Sequence, residues 1–81
     1  MRSITFYSTK TCPNCRIMKT WVNDLHLNVD YITLDYNSPE IDTLNIQSVP
    51  TILITEEGAE VARLTGSHSK AQLQAFFDKN I

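Results

Sequence analysis

Residues 3–22, SITFYSTKTCPNCRIMKTWV, decide the fold of this chain. The first six of them are mostly β-branched or aromatic, which is typical of a strand, whereas apolar residues recur at helical spacing after Pro13. Between these two patterns lies the motif Cys12-Pro13-Asn14-Cys15. Pro13 suits the first position of a helix, where its missing backbone N–H costs nothing. The stretch therefore predicts a strand, a loop and a helix, with two cysteines at the junction.

The remainder of the chain continues this alternation. The segment TILIT is almost entirely apolar and predicts a central strand, and a turn containing Gly58 joins it to a strand of alternating pattern. We predict strands at residues 3–8, 29–35, 51–55 and 60–65, and helices at residues 13–27, at 39–44 with Ser38 as N-cap, and after the N-cap Ser69. The order β-α-β-α-β-β-α predicts an α/β fold, with a mixed four-stranded sheet flanked by helices on both faces.

Length and composition exclude several classes of protein. The chain has 81 residues, of which 42% are hydrophobic, and this predicts one globular domain over residues 1–81. A net charge of −2 disfavours nucleic acid as a partner, and the chain contains no apolar run long enough to span a membrane. The N-terminus lacks the apolar core of a signal peptide, so we expect a cytoplasmic protein. The sequence shows no large apolar stripe of the kind that would form a dimer interface, so we expect a monomer.

The two cysteines have the features of a redox pair. Cys12 falls at the start of a helix, where free N–H groups and the helix dipole stabilise a thiolate. Lys10, Arg16 and Lys19 add positive charge nearby. Cys15 lies one turn later on the apolar face. We expect Cys12 to attack a target disulfide and Cys15 to resolve the resulting mixed disulfide.

Three other interpretations of the cysteines compete with a redox role. The pair could form half of a zinc site with His26 and His68, although these histidines are isolated in the sequence. The cysteines could be inert core residues, since buried cysteine is common. The whole chain could also be a non-catalytic binding module. We expect no metal site.

A second motif, Val49-Pro50-Thr51, directly precedes the central strand. Proline donates no hydrogen bond to a sheet, so its presence at the mouth of such a strand needs a reason. Beside a cysteine pair at a neighbouring strand end, a cis Val49–Pro50 bond is the favoured explanation. A cis turn would present the Val49 backbone to an extended substrate segment.

These motifs resemble the thioredoxin/glutaredoxin superfamily over nearly the whole chain. FYSTKTCPNC is similar to the start of a glutaredoxin, whereas VPTILI and the sequence from residue 60 to the end resemble the C-terminal half of a thioredoxin. The chain is most similar to the short glutaredoxin-like thioredoxins. The resemblance implies a thioredoxin-like fold and a dithiol–disulfide oxidoreductase that carries electrons in cell redox homeostasis. It implies no cofactor besides the redox-active disulfide.

The resemblance also implies partners and further site residues. The expected substrates are protein disulfides, ribonucleotide reductase among them, and the expected reductant is thioredoxin reductase; the alternative is a glutathione-dependent glutaredoxin. Pro13 and Asn14 would tune the redox potential, with Lys10 and Arg16 supplying positive potential. The substrate groove would be lined by Thr11, Val49, Pro50, Thr51, Gly66 and Ser67.

The chain departs from the patterns of these families at several positions, including Thr11, where thioredoxins have Trp. Asn14 replaces an aromatic residue that helps glutaredoxins bind glutathione, and the segment from Gly66 to Lys70 lacks their acidic residue. Lys70 would instead repel the α-amine of glutathione, although Lys10 could still meet one of its carboxylates. Phe6 occupies the position of a buried acid that thioredoxins use to help deprotonate the second cysteine.

Overall fold

The predicted order of strands and helices is confirmed in the computed structural model, which describes residues 2–35 and 37–81. Within these residues no helix has the length and apolar character needed to cross a membrane. The elements are β1 (Arg2–Thr9), α1 (Pro13–Asp24), β2 (Val29–Leu34), α2 (Pro39–Thr43), β3 (Thr51–Glu56), β4 (Ala59–Thr65) and α3 (Lys70–Asn80).

The four strands form one mixed sheet in the order β2-β1-β3-β4. β1 runs parallel to β2 and antiparallel to β3, with Tyr7 opposite Thr51. β4 is antiparallel to β3, with Thr65 opposite Thr51. The end of β1, the start of β3 and the end of β4 therefore meet at one edge of the sheet, which we call the upper edge.

One face of the sheet is covered by α1 and α3. Phe6 and Ile52 point to this face from neighbouring strands, and Val22 and Leu73 meet them from the two helices; all four are fully buried. The large apolar area removed from water here is the main stabilising contribution to the fold. It also fixes α1, and with it the cysteine pair, against the sheet.

The opposite face carries a smaller apolar cluster. Tyr7, Leu34 and Leu53 are buried there together with Ile46, and Ile41 of α2 packs against them. Since successive side chains of a strand point to opposite faces, Tyr7 and Phe6 belong to different clusters. The prediction of helices on both faces is confirmed.

Two helix ends differ in detail from the predictions. α1 ends at Asp24 rather than residue 27, because His26 adopts a left-handed conformation with φ of 56°. Leu25 and Leu27 continue to pack against the core from the following loop, which explains why the apolar pattern outlasts the helix. Ser38 is the N-cap residue of α2 as predicted, but its hydroxyl accepts the N–H of Asp35 and makes no capping hydrogen bond to the helix.

The N-terminus of α3 matches its prediction. The Ser69 hydroxyl accepts the backbone N–H of Gln72 at 3.2 Å, and the Gln72 side chain accepts the Ser69 N–H at 2.9 Å. Such a reciprocal capping box satisfies two backbone donors that a helix start leaves without partners. It places the N-cap Ser69 three residues after Gly66, close to the upper edge of the sheet.

Candidate active site

The cysteine pair lies at the N-terminus of α1. Cys12 is the N-cap residue and is joined to Cys15 by a disulfide with the Cα atoms 5.3 Å apart. The Cys15 N–H donates to the Cys12 Sγ at 3.1 Å. Pro13 occupies the first turn as predicted. When the disulfide is reduced, this N–H and the helix dipole favour negative charge on Cys12.

The two sulfur-bearing residues differ in accessibility. Cys12 is half-buried, whereas Cys15 is only 3% exposed and packs with Met18 and Val22 in the core. A partner approaching from solvent therefore reaches Cys12 first. The interpretation of the cysteines as two inert core thiols does not fit a pair joined by a disulfide at the surface end of a helix.

Val49 and Pro50 lie beside the pair at the upper edge. Their peptide bond is cis, as predicted. The Pro50 carbonyl accepts the N–H of Gly66 at 2.8 Å, which ties the end of β4 to the start of β3. Among the hydrogen bonds between described residues, none involves the Val49 backbone. The Val49 N–H and C=O are thus available to an extended peptide.

The predicted groove residues are not equally placed. Thr51 is a correction: its side chain is 1% exposed and its hydroxyl donates to the Ser48 carbonyl at 2.6 Å, so it supports the turn and lines no groove. Pro50 is also fully buried, so its side chain does not reach the groove surface as predicted. The residues that lie at the surface of the upper edge are Thr11, Pro13, Asn14 and Ser67, with the half-buried Val49 and Gly66 between them.

A cleft of about 170 Å³ opens at the cysteines toward β2. Lys10, Arg16 and Lys19 contribute its charged side chains, and hydroxyls come from Ser8, Thr9 and Thr33. Among the described residues that line this cleft, none carries a carboxylate. We call it the cationic cleft. Its positive potential favours the thiolate over the thiol.

A second cleft, of about 340 Å³, lies on the α3 side of Asn14. Ile17 and Trp21 give it an apolar wall, and Ser67 and His68 form its opposite rim. The sequence prediction missed His68 and Ile17 as site residues. The predicted hairpin could have identified His68. Because β4 is antiparallel to β3, it must end at the upper edge, and this brings the segment after Gly66 beside the cysteines.

The zinc interpretation does not fit the structure. His26 follows the far end of α1, whereas Cys12 begins that helix, so the two lie about 18 Å apart along its axis. Among the described residues, no three histidine, cysteine or acidic side chains converge on a point.

Phe6 replaces the buried acid expected from thioredoxins. It is fully buried and packs against Tyr31, with ring centroids 5.6 Å apart. Burial raises the pKa of Tyr31, and the Lys19 ammonium lies 4.8 Å from its ring centroid. Position 6 therefore offers a ring and no proton acceptor beneath Cys15.

Comparison with known proteins agrees with this geometry. The thioredoxin family model matches residues 3–79. A thioredoxin from Chlamydia pneumoniae is 30% identical over 74 residues, covering 85% of this chain and 72% of that protein.

Solved structures share the fold at lower identity. Fasciola hepatica thioredoxin superposes with a TM-score of 0.84 at 18% identity, covering 99% of this chain and 81% of its own. Thioredoxin-2 of the malaria parasite superposes with a TM-score of 0.77 at 20% identity, covering 99% and 84%. With a family match that includes Cys12, Cys15 and Pro50, this chain belongs to the thioredoxin family, and its cysteine pair is that of a dithiol–disulfide oxidoreductase.

Proposed function

We propose that this protein reduces protein disulfides in the cytosol and is recycled by an NADPH-dependent thioredoxin reductase. Cys12 is the attacking residue and Cys15 the resolving residue in this proposal. Their difference in exposure supports these roles, since only Cys12 is accessible from solvent. No cofactor besides the disulfide is needed, and a reducing compartment suits a disulfide that opens in every cycle.

The reaction transfers two electrons. The Cys12 thiolate attacks one sulfur of the target disulfide, forming a mixed disulfide and releasing the other target sulfur as a thiolate that takes a proton from water. Cys15 then loses its proton to solvent and attacks the Cys12 Sγ, which releases the second target thiolate. The target is reduced and the Cys12–Cys15 disulfide is formed. Thioredoxin reductase returns the two electrons from NADPH.

The lining of the cleft on the α3 side of Asn14 is the main evidence for a protein reductant. A glutathione-binding site needs a carboxylate for the α-amine of glutathione, and no described residue lining this cleft has one. Lys70 begins α3 beside it, with its ammonium 3.6 Å from an Asp24 carboxylate oxygen. Asn14 supplies no aromatic surface. These features favour a protein reductant over glutathione.

Val49 supports protein substrates. Its backbone makes no hydrogen bond with another described residue, and it borders a cleft of about 250 Å³ with Ser48 and Thr9. An extended target segment can add to this edge through main-chain hydrogen bonds. Ribonucleotide reductase, expected from the resemblance to short glutaredoxin-like thioredoxins, is one candidate substrate.

The test compares the two reductants directly. We expect oxidised protein to support NADPH consumption with a thioredoxin reductase and a protein disulfide, with no glutathione adduct on Cys12 in the mass spectrum. The Cys12→Ser/Cys15→Ser variant is the control and should give no turnover. Recycling by glutathione alone, with none by a panel of thioredoxin reductases, would establish the glutaredoxin alternative. A biological role that survives in the control variant would favour the binding-module alternative.

A further inference from the structure

The three cations of the cationic cleft lack carboxylate partners. Ion pairs between described residues join Arg2 to Glu56, Arg63 to Glu60 and Lys70 to Asp24. None of them involves the cleft, although its cations are all exposed. Positive charge is therefore collected beside the cysteines without a carboxylate partner among the described residues, and Lys19 contacts only the face of the Tyr31 ring, 4.8 Å from its centroid.

The positive surface extends away from the cysteines along α1. Arg16 and Lys19 also line a neighbouring cleft of about 300 Å³, with Thr20, Asn23 and Tyr31. This cleft too has no carboxylate among the described residues that line it. The two clefts adjoin at Arg16 and Lys19, which line both, and we call the surface they make between Cys12 and Tyr31 the α1 groove.

The rest of the molecule has the opposite charge. Six of the nine acidic residues lie at the far ends of their elements, away from the upper edge: Asp24, Asp30, Glu56, Glu57, Glu60 and Asp78. Two others, Glu40 and Asp42, lie on α2 beyond the opposite face of the sheet. The Asp35 carboxylate accepts the N–H of Asn37 and lines neither cleft. A long polyanion would meet repulsion outside the α1 groove, whereas a short acidic segment would not.

We propose that the α1 groove selects protein disulfides whose attacked cysteine is flanked by acidic residues. This inference rests on the proposed function, in which Cys12 attacks the target. The groove ends at Cys12, so its occupant must carry the disulfide that Cys12 attacks. A peptide chain meets this requirement and a nucleic acid does not. Charge complementarity at such a rim raises the association rate and fixes orientation.

The spacing of the cations predicts where the acids lie. Arg16 and Lys19 follow Cys12 by four and seven residues, which is about 6 Å and about 10 Å along a helix. An extended peptide advances about 3.3–3.6 Å per residue. The acidic side chains therefore belong about two and three residues from the attacked cysteine. Glutathione extends only one residue to either side of its cysteine and is too short to reach Lys19.

The test measures single turnovers of pre-reduced protein. Peptides carry one cysteine as its neutral 2-thiopyridyl disulfide, with either Glu or Gln at the second and third positions on both sides. Attack on the peptide sulfur forms the mixed disulfide and releases pyridine-2-thione, which is followed by its absorbance. We expect the Glu peptide to react about fivefold faster at low salt, a size typical of two exposed charge pairs, and this ratio to fall as salt is added.

Matched variants separate the groove from net charge. Lys19→Gln should lower the Glu-to-Gln rate ratio about twofold, and Arg16→Gln/Lys19→Gln should bring it close to one. Lys79→Gln removes the same charge from an exposed lysine at the far end of α3 and should leave the ratio unchanged. The ratio, unlike the absolute rate, is insensitive to any change in the reactivity of Cys12.

Two results would overturn the inference: a ratio near one in the parent protein, or an equal fall in Lys19→Gln and Lys79→Gln. No reductase takes part in a single turnover, so the outcome does not depend on how the protein is recycled. Reaction with neither peptide would instead contradict the proposed role of Cys12.

Discussion

At the scale of single residues, one helical turn separates two cysteines with different surroundings. Cys12 ends a loop and receives the N–H of Cys15, whereas Cys15 packs against Met18 in the core. The two cysteines form one disulfide, but only the sulfur of Cys12 is accessible to another protein. The division of labour follows from the position of each residue in the first turn of α1.

Replacing Cys15 tests this division. In Cys15→Ser the mixed disulfide on Cys12 has no resolving thiol, so we expect it to accumulate with a protein disulfide substrate. Non-reducing electrophoresis and mass spectrometry of the adduct measure it. In Cys12→Ser the remaining thiol is buried, and we expect no adduct. Normal multiple turnover by Cys15→Ser would contradict the mechanism.

The ionisation of Tyr7 makes the free energy of unfolding depend on pH. Its pKa is raised, first because the ring is buried and second because Glu40 lies nearby. A tyrosine whose pKa is higher in the folded state contributes stability below its unfolded pKa of about 10, and this is lost as the pH rises through the folded pKa. We expect Tyr7→Phe to lose less free energy of unfolding than the parent between pH 9 and about 11.

Urea unfolding at several pH values measures the contribution of Tyr7 to the free energy of unfolding. Measurement at pH 7 provides the baseline for each protein, since tyrosine is neutral there in both states. All other residues are the same in both proteins, so only the difference in slope between them reports on Tyr7. Equal slopes for parent and Tyr7→Phe would show that Tyr7 keeps its ordinary pKa.

At the scale of elements, the β3–β4 hairpin has the tightest connection in the sheet. Glu56 lies opposite Ala59, so Glu57 and Gly58 alone form the turn. Both have positive φ, 52° and 85° respectively. Two-residue turns with this conformation favour Asn-Gly, and a glutamate with positive φ is strained by its Cβ.

Replacing Glu57 by asparagine should therefore stabilise the hairpin. We expect Glu57→Asn to raise the free energy of unfolding by about 0.5–1 kcal/mol, because asparagine adopts the left-handed conformation at lower cost. The midpoint of urea unfolding measures this. Glu57→Gln is the matched comparison, since it removes the same charge from the turn but keeps at this positive-φ position a residue that is strained by its Cβ. An equal gain from both variants would indicate relief of charge repulsion rather than of backbone strain.

At the scale of the whole molecule, the sheet gathers distant parts of the chain at its upper edge. The loop after β1, the turn before β3 and the segment after β4 meet there. The resulting surface has a cationic groove on one side and, on the other, a cleft whose described lining residues carry no carboxylate. The choice of reductant therefore depends on the assembled edge and not on the cysteine motif alone.

A redox titration tests whether the upper edge of the sheet excludes glutathione. In buffers of graded glutathione ratio, we expect a single two-electron midpoint below about −230 mV, on the thioredoxin side of the family range. We also expect no populated glutathione adduct, because none of the described residues that line the cleft beside Asn14 offers a carboxylate to the α-amine of glutathione. Rapid alkylation followed by mass spectrometry measures both. A midpoint near −200 mV with an adduct on Cys12 would indicate a glutaredoxin.

Local features of the chain were sufficient to predict most of the fold. The β-branched strand ending before Cys12, Pro13 at the start of α1 and the Ser69–Gln72 capping box act over a few residues, so their patterns are visible in one dimension. Helix ends were less predictable. The apolar pattern of α1 continues to Leu27 because a loop can also bury its leucines, so the pattern alone overestimates the helix.

The sequence alone determined the reactive pair and its place at a helix start, since both depend on neighbouring residues, and it indicated the cis bond before Pro50 once the central strand was placed beside that pair. Only the tertiary structure decided which side chains share the active-site surface. It buried Thr51, brought His68 beside Asn14 and placed Lys19 on the same groove as Cys12. The reason is physical: strand pairing and core packing join segments far apart in the chain, and exposure and charge at a site are properties of that assembly.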